Sequence, residues 1–125
     1  MSKIAVTYDE CIQFVLDHRR DKVFKGFTPE NIFETIRQAA YKGAFCYVID
    51  EDSGKLVGIV AGEPHEDIKQ LHITHILCIK RGVMREMLKQ FEKHFSGWTI
   101  TATRYGEKVI YTNTKNLCKK ICCLK

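Results

Sequence analysis

The chain has 125 residues, a formal net charge of +5, 45% hydrophobic residues and 28% charged ones. That length fits one domain with a core of its own, and the mild positive charge suits an anionic ligand or a nucleic acid without requiring either. No apolar run approaches the ~18 residues of a bilayer-spanning helix, and no secretory leader is recognisable, so the expected setting is the cytoplasm without membrane contact.

Residues 3–6 read as a short edge strand or as the approach to a first helix. Thr7 or Asp9 can cap that helix, because a short oxygen-bearing side chain accepts from the unpaired amides of the first turn. Its apolar positions are Tyr8, Cys11, Ile12 and Val15, with Val23 further on, and the polar residues 18–21 read as its solvated end. Thr28, Pro29 and Glu30 mark a second start: a cap, a proline at the first helical position and an acid at the positive end of the dipole. This helix is expected to run to about residue 42, with Ile32, Phe33, Ile36, Ala39 and Ala40 on one face and Gly43 ending it.

Residues 44–49 are apolar at every position, as in a strand covered on both faces. Residues 50–54 have turn composition, and residues 55–61 read as the returning strand of a hairpin. Gly58 within it suggests a bulge or a close backbone approach. Residues 62–70 read as a polar loop. Residues 71–79 are the next strand, and Lys80, Arg81 and Gly82 form the bend after it. Val83, Met84, Met87, Leu88, Phe91 and Phe95 then recur at helical spacing, predicting a helix packed on the sheet. A strand that bends into a helix leaves amide hydrogens and the helix dipole available to an anion, and Lys80, Arg81 and Arg85 add positive charge there. Residues 98–104 and 108–112 alternate as strands, and residues 113–124 read as a short closing helix with Leu117, Ile121 and Leu124 on one side.

The string FCYVIDEDSGKLVGIVAG, then LHITHILCI, then RGVMREMLKQF resembles the GNAT superfamily of N-acyltransferases over roughly residues 7–104. The hairpin resembles that family's second and third strands, HITHILCI its fourth, and RGVMREMLKQF its acetyl-CoA pyrophosphate loop and following helix. The resemblance implies an α+β fold ordered α-α-β-β-β-α-β-β-α, with a mixed, mainly antiparallel sheet of about five to six strands flanked by helices. It also implies acetyl transfer from acetyl-CoA to an amine, on a small molecule or a protein. Arg81, Gly82, Val83, Met84 and Arg85 would hold the pyrophosphate, and the backbone of Leu77, Cys78 and Ile79 the pantetheine arm. His75 would act as base and Tyr111 or Tyr105 would return a proton to the departing thiolate. Gly82 aligns with the family's first glycine. Met84 stands where its second small residue belongs, and Ile79 where it has Gln or Arg. The alternative is therefore a GNAT-like domain without catalysis, serving as a binding or virion-associated module. Trimmed domains of this kind suggest a bacteriophage origin.

His72 and His75 are spaced to fall on opposite faces of a strand, so only one would face a cleft, and a metal site built on the pair is not expected. Six cysteines are present. Cys11, Cys46 and Cys78 lie in apolar runs and are expected to be reduced. Cys118, Cys122 and Cys123 complete neither a four-cysteine zinc set nor a prenylation box. The basic residues are dispersed among acids without the aromatic interleaving of an RNA-binding sheet, so nucleic acid is a minor alternative. Monomer and homodimer both remain open, the latter by pairing of an edge strand at 108–112.

Overall fold

The computed structural model describes residues 6–19, 24–104 and 107–111, the last seven of these (residues 103–104 and 107–111) as backbone only. In chain order the elements are α1 (Tyr8–His18), α2 (Pro29–Tyr41), β1 (Phe45–Ile49), β2 (Leu56–His65), a 3-10 turn (Glu66–Ile68), β3 (Gln70–Cys78), α3 (Val83–His94), β4 (Thr99–Arg104) and β5 (Glu107–Tyr111). They make an α+β fold around one mixed sheet in the order β1-β2-β3-β4-β5. Neighbours run antiparallel except β3 and β4, which are parallel because α3 carries the chain back across the sheet between them. The two cores draw on β1 to β4, and β5 adds to the open edge of β4.

Local chemistry explains where the helices begin. Thr7 caps α1 and Thr28 caps α2, each in a reciprocal box, with Glu10 and Asn31 reaching back to the cap amides. Pro29 stands at the start of α2, and Gly43 beyond its end has φ +73°, the left-handed turn that glycine adopts without strain. On α1 the buried residues are Cys11, Phe14 and Val15, whereas Tyr8 is exposed. On α2 they are Ile32, Ile36 and Ala39.

The sheet separates two apolar layers. Cys11, Phe14, Val15, Phe24, Ile32 and Ile36 pack with Ile59 and Leu77 on one face. On the other, the α3 stripe of Val83, Met84, Met87, Leu88 and Phe91, with Phe95 just beyond it, packs with Val60, Leu71, Ile73, Cys78, Ile100 and Ala102. That stripe is the one its spacing predicts.

Two expectations are corrected. Residues 62–65 continue β2 rather than forming a loop; only Glu66–Ile68 and Lys69 turn the chain. Pro64 is tolerated because β1 has already ended opposite Ala61, so Pro64 has a ladder partner on the β3 side alone. The second concerns phase. Ala61 pairs with His75 and Gly62 with Ile73, so Thr74 is an extra residue in β3. Leu71 and Ile73 before it, and Ile76 and Cys78 after it, all face the α3 layer. His72 and His75 therefore lie on the same face of the sheet, not on opposite ones. The expected closing helix at 113–124, and Val23, lie outside the described residues.

Candidate functional site

The bend after β3 is built by backbone geometry. Gly82 has φ +89° and caps α3 without a side chain. The Val83 N–H donates to the Lys80 carbonyl at 3.3 Å, and Glu86 N–H to Gly82 O at 3.2 Å. The amide of Val83 is thus already engaged within the bend. Met84 is buried in the core with Met87 and Leu88, so its side chain turns inward beneath α3. Ile79, Arg81 and Arg85 are exposed, and neither arginine has an ion pair among the described residues. Lys80 differs. Its Nζ lies 2.8 Å from Oδ1 of Asp50, in the turn between β1 and β2. That hydrogen bond, with one from Ser53, holds the Asp50 carboxyl below its ordinary range.

The parallel contact between β3 and β4 is short. It covers Gln70–Thr99 to Ile73–Ala102, and among the described residues no bridge continues it past the Thr74 bulge. From there to Cys78, the partner of β3 among the described residues is β2. Ile79 N–H donates to Val57 O at 3.0 Å. The antiparallel alternation then assigns Leu77 and His75 to the pairs bonded to β2, while the main-chain groups of Ile76 and Cys78 point the other way, to where β4 diverges. Of the three residues expected to lend backbone to a pantetheine arm, Cys78 is turned suitably, Leu77 is committed to β2, and Ile79 donates to Val57.

His75 lies against the loop between the helices. Its ring stacks on Phe24 at 4.7 Å between centroids and meets Phe27 edge-on at 5.6 Å. Burial pushes its imidazole below the ordinary value, favouring the neutral form. Its Nδ1 lies 2.9 Å from the Thr74 hydroxyl, which donates to Ala61 O at 3.1 Å. Phe24 has φ +61°, a backbone state that costs a bulky residue of order 1–3 kcal/mol. It is held there by Arg19, whose Nη1 donates to Phe24 O at 3.3 Å and Phe27 O at 2.9 Å. Sequence singles out neither Phe24 nor Phe27, and it places Arg19 in the solvated end of the first helix. Their only signal is proximity to a loop, which does not say which strand residue the loop will cover.

His72 belongs to a different cluster. Its Nδ1 is 2.7 Å from the hydroxyl of Thr101, a fully buried residue of β4 that also receives a bond from Gln70. This cluster joins β3 to β4 where they still run together. Tyr111 pairs with Ile100 at the sheet edge, and its side chain lies outside the described residues, as do Tyr105, Cys118, Cys122 and Cys123. Among the described residues no group of three or more His, Cys, Asp or Glu side chains could hold a metal, and no helix is long and apolar enough to cross a membrane.

Two shallow hollows lie away from the bend. One of about 260 Å³ is lined by Arg37, Gln38, Tyr41 and Lys42. The other, about 220 Å³, lies between α1, α2 and β1, with Cys11, Phe45 and Tyr47 in its wall. Neither includes a residue of β3 or α3, and neither is lined by a histidine or a carboxylate. The divergence of β3 from β4 is the better candidate because it presents main-chain donors and acceptors, a half-buried imidazole and two uncommitted arginines on consecutive elements. Comparison with protein families, with curated proteins and with solved structures returned no match for this chain.

Proposed function

We propose that this chain is a GNAT-like, acyl-CoA-dependent N-acetyltransferase acting on an amine. The single observation that carries the reading is the abrupt end of the parallel β3–β4 contact after Ile73; among the described residues nothing pairs with the second half of β3 on the side where a pantetheine arm could lie like a strand. Arg81 and Arg85 beside the start of α3 supply charge for the pyrophosphate. His75, kept neutral by burial, is the group to take the proton that the amine sheds as its nitrogen bonds the acetyl carbon. The C–S bond then breaks, and the leaving thiolate takes up a proton, for which Tyr111 is the candidate donor. The family's fuller sheet of five to six strands, a cytoplasmic or virion setting and a phage origin belong to the same proposal.

A second reading, a GNAT-like binding module without catalysis, is favoured by two details of the bend. Met84 occupies a position where the family has a small residue, and the Val83 amide is spent on Lys80. The two readings separate by thermal unfolding with acetyl-CoA. A ligand at about 100 times its dissociation constant adds ~2.7 kcal/mol to stability, so the first reading predicts a rise in Tm that Arg81→Glu with Arg85→Glu removes. Both residues are exposed, whereas a side chain at Gly82 would strain the left-handed backbone whatever it did to the ligand. No rise at millimolar acetyl-CoA overturns the cofactor site. A rise without acetylation of any amine in a broad panel supports the module.

A further inference from the structure

The Thr74 hydroxyl has one proton, and the Ala61 carbonyl can only accept. With that proton donated to Ala61 at 3.1 Å, the 2.9 Å contact between Thr74 and His75 is satisfied only if Nδ1 of His75 is the donor. The hydrogen-bond pattern therefore assigns His75 the Nδ1–H tautomer, the less favoured one for a free imidazole, and leaves the lone pair on Nε2. One hydrogen bond to a rotatable hydroxyl does not fix a ring, which can still flip about its χ2 angle. The flat face is fixed by Phe24, which stacks within 27° of parallel, and Phe27 closes on the ring at 66°.

Phe24 reaches that position through an unfavourable left-handed backbone, and its ring is almost wholly buried. A bulky residue persists in such a state only when its surroundings hold it there. Arg19 does so by donating from one guanidinium nitrogen to the carbonyls on either end of the turn. That commits the Arg19 guanidinium to carbonyl oxygens of the turn. Lys25, in the same turn, is exposed, and no carboxylate forms an ion pair with His75 among the described residues.

We infer that Arg19, Phe24 and Thr74 are positioning residues that hold His75 as a neutral Nδ1–H imidazole with Nε2 as its proton-accepting atom. The inference deepens the acetyltransferase reading by saying how its candidate base is oriented, and it rests on that reading for its purpose, not for its geometry.

The test uses the full chain labelled with ¹⁵N in histidine, whose ring nitrogen shifts report tautomer directly. The His75 signals are identified by their loss in His75→Gln. The expected wild-type result is a dominant Nδ1–H tautomer above the titration midpoint. Thr74→Ser preserves it, and Thr74→Val removes it. Phe24→Gly accepts the left-handed backbone without strain and removes only the stacking ring. In that variant the tautomer is expected to become mixed and the midpoint to move up toward the ordinary imidazole value, whereas Phe24→Trp keeps both near wild type. Arg19→Gln, at an exposed position, is expected to act in the same direction as Phe24→Gly and serves if the glycine variant fails to fold. A wild-type Nε2–H tautomer overturns the inference, as does an unchanged tautomer and midpoint in folded Phe24→Gly or Arg19→Gln. Because no acetyl-CoA is present, failure here is distinct from failure of the enzyme reading, which the thermal shift decides.

Discussion

Val83 of α3 sits directly on Gly58 of β2: a methyl group on Gly58 would stand 2.4 Å from Val83 Cγ1, with Met87 and Cys78 closing the remaining space at 3.2 and 3.3 Å. The absence of a side chain on the strand is what lets the first turn of α3, and with it Arg81 and Arg85, settle close to the sheet. Gly58→Ala should therefore cost about 1–3 kcal/mol by overpacking, read as a lower urea midpoint with an unchanged slope. Adding Val83→Ala should restore part of that loss, since the two changes share one contact. A Gly58→Ala chain as stable as the wild type would mean that α3 stands farther from β2.

The same packing gives His75 a pH signature. Its folded pKa lies below the unfolded value of about 6.5, so in the window beneath 6.5 the unfolded chain binds more protons than the folded one. The stabilisation is complete above 6.5 and is lost as pH falls from there through the folded value. Urea unfolding in steps from pH 7.5 to about pH 5 should show stability falling, with a shallower fall in His75→Gln. An identical pH dependence in the two chains would show that His75 is solvated in the native state.

Burial pushes the Cys11 thiol to about 11 and the Cys46 thiol to about 12. Cys46 also donates its S–H to the Met87 carbonyl at 3.6 Å, a bond that its thiolate would forfeit. In a chain with Cys118, Cys122 and Cys123 replaced by serine, both thiols should resist a maleimide at neutral pH and react once the chain is unfolded in guanidinium. Labelling of either at the rate of free cysteine in the native state would contradict the packing described.

Lys80 offers a test of the bend that is separate from the arginines. Its ammonium is now held by Asp50, 30 positions earlier in the chain. Asp50→Asn should release it, so acetyl-CoA binding measured by calorimetry is expected to tighten at low salt and to lose that gain as salt is raised. Unchanged affinity would place the pyrophosphate out of reach of residue 80.

The helices were legible because their signals are local. Thr28 with Pro29 announces a start, and the spacing of Val83, Met87, Leu88 and Phe91 announces a buried stripe, whatever lies on the other side. The strand errors share a different cause. Gly62, Glu63 and Pro64 have loop composition, yet they form strand because Ile73, His72 and Leu71 stand opposite them. The bulge at Thr74 has no composition of its own, and without it the faces of His72 and His75 are misread. Nor can a sequence show that β4 joins β3 for four residues, since that pairing is between residues about 30 positions apart. The strand, bend and helix around Gly82 are legible in sequence, whereas the aromatic wall is not, because Phe24 and His75 are 51 positions apart and meet only in the folded chain.

Thr74 itself is exposed and sits mid-strand, and it is the one residue of β3 with no partner opposite it on β2. Excising it would make Ile73 and His75 neighbours opposite Gly62 and Ala61, so the ladder would close without its kink. Leu77 would still lie beneath the paired helices and Cys78 among the methionines, while the hydroxyl beside the imidazole would be gone. A one-codon deletion there should leave both apolar layers filled and take away only the ring's anchor.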